Sequence, residues 1–204
     1  MYQPALFEES RLDVLHALID AHPLGAVVTH GAAGLGADHI PFEVGAPTAE
    51  APFGVLRGHV ARANPLWRHE ADTLVLFQGA QAYITPAWYE EKARTGKVVP
   101  TYNYAVVHGY GRLRAIDDPQ WLLAMLERLT ARHEAAQAAP WRVDDAPPDF
   151  IAKTLAAIVG IEIPLTRIEG KWKTSQNRSA RDKRSIAAGL GADHPMAPLV
   201  RPAM

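Results

Sequence analysis

The sequence predicts a mainly β fold with packed helices, arranged as a small closed or partly open barrel. Three observations point there. Six or seven short stretches carry either the period-two alternation or the compact apolar run of a strand. Helical stretches interrupt these strands instead of alternating strictly with them, which does not suit a doubly wound sheet. Sixteen prolines and fifteen glycines are spread along the 204 residues, the punctuation of many turns between short elements.

Residues 10 to 21 read as the first helix. Ser10 is placed to cap it, Asp13 lies in its first turn, and Leu12, Leu15, Leu18 and Ile19 share one face before Pro23 and Gly25 end it. Residues 24 to 29 and 37 to 42 form a hairpin around the glycine-rich turn HGAAGLG. That turn lacks the Lys-Ser/Thr of a phosphate loop. Residues 53 to 60 are a strand, and 63 to 69 a short helix with Pro65 where its missing N–H costs little. TLVLF at 73 to 77 is a buried strand, and Gly79 is expected to turn the chain into a separate strand over 82 to 85. Residues 106 to 116 alternate with Gly109 and Gly111 on one side, as at a bend or a close backbone approach.

The clearest helix spans 118 to 134, capped by Asp117 or Asp118, opened by Pro119 and striped with Trp121, Leu122, Met125, Leu126 and Leu129. A loop over 135 to 148 leads to a second helix over 150 to 159. Ile161, Ile163 and Leu165 then alternate with polar positions in a strand that Pro164 assigns to an edge or a bulge. A last helix is expected over 179 to 190. Residues 1 to 190 read as one domain and 191 to 204 as a flexible tail.

The absence of cysteine excludes disulfides, thiolate nucleophiles and cysteine-ligated metal. The formal net charge of -1 argues against nucleic-acid binding by the surface as a whole. No apolar run approaches the ~20 residues of a membrane span, and MYQPALFEESRLD is not a secretory leader, so a cytoplasmic protein is expected. Nine histidines form no HExxH motif, no GxSxG elbow occurs, and no carboxylate pair stands out as acid and base. No catalytic or metal-ligating residue is assigned. His39, His59 and His108 sit on different strands and leave a metal or haem reading open.

Four stretches carry polar or aromatic residues that a core does not require. GHVARANP at 58 to 65 runs from strand to helix, where backbone N–H groups and the Arg62 fork suit a phosphate; Asn64 equally suits a plain cap. YITPAWY at 83 to 89 holds three aromatics that fit a planar ligand, a dimer interface or a core. KVVPTYNY at 97 to 104 places Thr101 and Asn103 on one strand face and Tyr102 and Tyr104 on the other. EGKWKTSQNR at 169 to 178 joins a dense set of hydrogen-bonding side chains to a basic run. From Arg167 to Arg184 seven cations face two acids, a local charge of +5 that suits a phosphate or another partner's backbone.

On these stretches the sequence resembles the PaiB-like family, described as FMN-binding negative transcriptional regulators. The resemblance rests on MYQPALFEE, on Asp38-His39-Ile40-Pro41, on GHVARANP and on FQGAQAYITPAWY at 77 to 89. It continues through VPTYNYAVVHGYG at 99 to 111 and IEGKWKTSQNRSARD at 168 to 182, covering residues 1 to about 190. Tyr102 stands where the family usually has tryptophan. The resemblance implies an FMN-binding split β-barrel, typically a homodimer with FMN at the subunit interface. It carries a cofactor set over to Arg62, Asn64, Tyr83, Thr85, Trp88, Thr101, Asn103, Tyr104, Lys173, Gln176 and Asn177. Within that set Arg62 and Lys173 suit the phosphate, the amides and Thr101 the polar atoms of the ring and ribityl chain, and Tyr83 and Trp88 the ring faces. It also implies transcriptional regulation, with DNA or protein as partner through 167 to 184. The alternative is an FMN-dependent oxidoreductase acting on a small molecule, in which the flavin carries the chemistry.

Overall fold

A computed structural model describes residues 1–31, 34–68 and 71–202. In chain order the described elements are β1 (Glu8–Glu9), α1 (Leu12–Ala21), β2 (Leu24–Gly31), β3 (Gly34–Pro41), β4 (Glu43–Gly45), β5 (Val55–Ala61) and β6 (Asp72–Ile84). There follow α2 (Glu91–Thr95), β7 (Thr101–Arg112), β8 (Arg114–Ile116), α3 (Pro119–Glu134), α4 (Pro148–Ala156), β9 (Ile158–Lys173), α5 (Ala180–Leu190) and α6 (Ala197–Val200). The strands form one sheet in the order β3-β2-β6-β7-β9-β5-β4, with β1 and β8 also paired to β9. Among the described residues no helix is long and apolar enough to cross a membrane.

The chain divides into two compact units, each discontinuous. Unit 1 holds residues 1–22, 77–108 and 169–204; unit 2 holds 23–76 and 109–168. In unit 1, Leu15, Leu18 and Ile19 are the buried stripe of α1. A second cluster joins Ala82, Ile84 and Tyr89 to Ile186, Met196 and Val200. In unit 2, β2 and β3 form an antiparallel hairpin from Leu24↔Pro41 to Gly31↔Gly34, and its expected turn partly lies outside the described residues. Strand β5 pairs antiparallel with β9, and Leu56, Ile161 and Ile163 are fully buried. Helix α3 starts as expected: the Asp118 carboxylate accepts the N–H groups of Gln120 and Trp121, and Leu122, Met125 and Leu129 are buried.

Several expectations need correcting. Ser10 does not cap α1; the cap is Arg11, whose N–H is accepted by the Glu9 carboxylate at 3.0 Å while its guanidinium grips the same group. The short helix after Asn64 is a 3₁₀ turn, Pro65–Arg68, and His69 lies outside the described residues. Gly79 does not separate two strands. β6 runs through it without interruption, and the burial alternation slips phase there, odd positions being buried through Phe77 and even ones from Ala82. A phase slip of this kind, which a bulge produces, reads in sequence as two strands. The missing Cβ of Gly79 lets the Leu18 side chain approach, since a Cβ there would lie 2.9 Å from its Cδ1. Pro164 is not on an edge strand: β9 lies between β7 and β5. Pro164 stands opposite Val55, the first residue of β5, so its missing N–H falls where that ladder ends.

Strands β6, β7 and β9 each continue across the boundary between the two units. Near the C-terminus Met196, Ala197 and Val200 are buried.

The close approach read from Gly111 is present: a Cβ there would collide with the Pro164 carbonyl and lie 2.8 Å from the Ile163 side chain. Gly111→Ala is expected to lower unfolding free energy by about 1–3 kcal/mol, the usual range for overpacking. Gly31→Ala, with nothing within 4 Å, should change it little. Urea unfolding of the two variants checks the contrast.

Candidate functional site

In unit 1 the start of β7 meets the turn that follows β9. The Lys173 ammonium donates to the Thr101 hydroxyl at 2.7 Å. The Asn103 amide donates to Ser175 Oγ at 2.9 Å, and that hydroxyl stands 3.3 Å from Asn103 Oδ1, so the two side chains satisfy each other. Both are buried, Asn103 completely. Ser175 has φ +65°, a left-handed conformation that a non-glycine residue adopts only when its surroundings impose it. The Gln176 carboxamide braces the same turn, accepting the Thr174 N–H at 2.7 Å and donating to the Trp172 carbonyl. Asn177 is exposed beside it.

Charge collects here. Lys171 is nearly buried at 8% exposure; its ammonium donates to the Tyr2 carbonyl at 2.8 Å and lies 5.4 and 5.6 Å from the Tyr2 and Tyr104 ring centres. Neither Lys171 nor Lys173 has a carboxylate partner among the described residues, and each has one acceptor for three N–H donors. A polar turn beside two cations without counter-charge suits an anion.

The remaining unit 1 candidates are placed by packing. Thr85 Oγ1 accepts the Ala87 N–H at 3.2 Å and so caps the 3₁₀ turn Pro86–Trp88. Trp88 is half-buried against α5, its indole filling the space where a Cβ on Gly189 would fall, and it joins the Ile84, Tyr89 and Ile186 cluster. Tyr83 is exposed, and Tyr104 is half-buried near Lys171.

In unit 2 the other two candidates are engaged locally. The Arg62 guanidinium forks onto Asp117 at 2.9 and 2.6 Å and also donates to the carbonyls of Ala156 at 2.8 Å and Ile158 at 3.0 Å. This pair holds the Asp117 carboxyl below and the Arg62 guanidinium above their ordinary pKa values. Arg62 therefore clasps the end of α4 to the start of β9, and a phosphate there would have to displace Asp117. Asn64 is a cap, as its plain reading allowed: its Oδ1 accepts the Leu66 N–H at 2.8 Å, and its amide donates to Asp38 at 2.7 Å. Sequence reasoning left out Ser175 and Lys171 as site residues. The TSQN run pointed to the first; the second shows no signal, because its burial depends on the N-terminal segment lying along β9 through Glu8↔Lys171.

The basic run is not one open patch. Arg167 stacks on Tyr110 at 3.5 Å, Arg178 lies over Tyr89 at 4.5 Å, and Arg181 pairs with Glu90. With Lys171 and Lys173 also engaged, only Lys183 and Arg184 of the seven have no partner among the described residues.

The family described as "Putative FMN-binding domain" matches residues 1–167. The chain belongs to this family. Membership in this FMN-binding family carries a flavin cofactor, and the split-barrel class expected from the PaiB-like resemblance agrees with the sheet described above. An uncharacterized protein of Emericella nidulans is 34% identical over 232 aligned positions, covering 95% of this chain and 92% of that protein. Protease synthase and sporulation protein PAI 2 of Bacillus subtilis is 31% identical over 193 positions, covering 93% and 89%. Among solved structures, the FAD and heme binding protein from Mycobacterium smegmatis superposes with TM-score 0.62 at 18% identity, over 89% of this chain and 80% of that one. The turn at 173–177 lies beyond the matched 167 residues of the FMN-binding domain but within the length shared with these relatives.

Two measurements test this geometry. Asn103→Ala leaves the buried Ser175 hydroxyl without its partner and is expected to cost about 1–3 kcal/mol. Adding Ser175→Ala should then cost less than Ser175→Ala alone, a coupling that a double-mutant cycle by chemical denaturation reads directly. Separately, His59 is half-buried on β5, its Nδ1 has no hydrogen-bond partner among the described residues, and burial lowers its pKa from the ordinary 6.5. The unfolded chain then binds the proton more readily, so stability is full above about pH 6.5 and declines as pH falls below it. His59→Gln should flatten that decline in denaturation curves measured between pH 7.5 and 4.5.

Proposed function

We propose that this protein binds FMN through unit 1, with the β7 start and the turn after β9 holding its anionic end. The supporting observation is the braced turn with Lys171 and Lys173, two cations that have no carboxylate partner among the described residues. Lys173 and Thr101 would take the phosphate, with Asn177 beside them. Asn103, Ser175 and Gln176 would hold the turn in shape, since their hydrogen bonds are already made within it. Tyr83 and Tyr104 would offer ring surface, while Thr85 would act by capping the 3₁₀ turn after Tyr83 and Trp88 by packing that turn against α5. Arg62 and Asn64 would act through structure, by clasping α4 and capping the 3₁₀ turn. Bound flavin supplies a two-electron acceptor that the protein's own side chains do not provide.

We further propose a homodimeric flavoprotein with a PaiB-like regulatory role in the cytoplasm. The engagement of five of the seven cations from 167 to 184 favours regulation through a small molecule or a protein partner over direct contact with DNA. The alternative, an FMN-dependent oxidoreductase acting on a small molecule, predicts flavin-dependent NAD(P)H oxidation. Salt-dependent binding to a duplex would instead support direct control.

Purified protein mixed with equimolar FMN and desalted is expected to retain a flavin absorbance spectrum. Lys173→Met should weaken FMN about tenfold or more, the scale of one charge-assisted hydrogen bond, and leave riboflavin, which has no phosphate, little changed. Absence of retained flavin in the wild-type protein sinks the FMN reading. Equal loss for FMN and riboflavin removes Lys173 from the phosphate while leaving the cofactor in place.

A further inference from the structure

In unit 2, α3, the 3₁₀ turn Val143–Asp145 and α4 enclose an apolar groove of about 150 Å³ lined by Leu126, Trp141, Val143, Phe150, Ile151 and Leu155. Trp141 and Phe150 are 48% and 60% exposed, large apolar surfaces left open on one groove. Next to it lies a polar hollow of about 370 Å³ that shares Thr130, Trp141 and Val143 and adds Glu127, Arg142 and Asp144. The Arg142 guanidinium is taken by Asp144, through bonds of 2.9 and 3.0 Å. Glu127 forms no hydrogen bond or ion pair among the described residues; the nearby Arg128 is held by Glu43. Arg128 and Arg142 act on Glu127 only through their field, without a hydrogen bond, so the lining of the hollow, with Glu127 and Asp144 against Arg142, is net negative beside an apolar slot.

We propose that this groove binds a small amphipathic amine, with a single aromatic ring or short alkyl body in the slot and the ammonium against Glu127. Size and charge both carry the inference. An apolar cavity of ~150 Å³ accommodates one benzene-sized body. A carboxylate with no hydrogen-bonded counter-ion in the adjoining hollow favours a cation and disfavours an acid of the same shape. None of these residues belongs to the flavin-binding set, so the inference stands apart from the proposed cofactor.

The test is a titration of the full-length protein with 2-phenylethylamine, followed by methyl NMR at Leu126, Ile151 and Leu155, with phenylacetate and 2-phenylethanol as matched probes. Saturable shifts at these methyls are expected with the amine, and binding of phenylacetate about fivefold weaker or worse. Glu127 is exposed, so Glu127→Gln should fold normally. It is expected to weaken the amine about two- to fivefold, the scale of an exposed ion pair, and to leave 2-phenylethanol unchanged. Equal affinity for amine and acid, no effect of Glu127→Gln on the amine, or no saturable shift each overturns the proposal. It falls too if the same methyls shift on raising protein concentration without amine, which makes the groove a contact between copies.

Discussion

Three long strands set the terms for everything else in this chain. β6, β7 and β9 run for 13, 12 and 16 residues, and every boundary between the two compact units falls inside one of them, apart from the one at His22–Pro23. A strand side chain points to alternate faces, so each of these segments must keep its buried positions in phase along its length. β7 does so throughout, with alternate residues from Asn103 to Leu113 buried. β6 does so only by slipping phase near Gly79, whereas β9 is buried on both faces over 159–161 and 163–165, so alternation does not constrain it there. Where a partner comes too close for a side chain, as at Gly111 beside Pro164, glycine is the residue that permits it.

The candidate site inherits its order from those strands. Asn103 opens the buried alternation of β7, and Ser175 lies two residues past the end of β9, so their mutual hydrogen bonds tie a turn to a strand that is itself held by its ladder. An exposed turn with a serine at φ +65° would relax; this one is closed over by Asn103 below and by the Gln176 carboxamide across its ends. The outcome is a division of labour inside one short polar stretch. Side chains whose bonds are satisfied shape the turn, while Lys173 and Lys171 keep spare donors.

The same division explains why residues of one chemical type have different roles. Arg62 and Lys173 looked equivalent as candidates for a phosphate. A guanidinium presents a planar fork that a neighbouring carboxylate matches in two bonds; Asp117 supplies that match, and the carbonyls of Ala156 at the end of α4 and Ile158 at the start of β9 accept from the same group. An ammonium on a flexible stem next to a threonine hydroxyl keeps two donors in hand. The basic run from 167 to 184 separates by the same logic. Its positive charge is real in sequence, yet aromatic faces, backbone and single carboxylates hold most of it one residue at a time.

Sequence alone determined what depends on local chemistry. Period-two alternation located the strands, Asp118 before Pro119 located the start of α3, and the VPTYNY and TSQN stretches located the polar positions that do meet, Thr101 with Lys173 and Asn103 with Ser175. Tertiary structure decided what depends on residues far apart in the chain. It merged two short strands into β6, moved Pro164 into a central strand and buried the segment around Met196, because each outcome rests on a neighbour that no local pattern names. It also decided which cations are spent and which are spare. A side chain's charge is written in the sequence, but the group that engages it is a matter of proximity: Asp117 is 55 residues from Arg62, and Tyr2, whose carbonyl accepts from Lys171, is 169 from it.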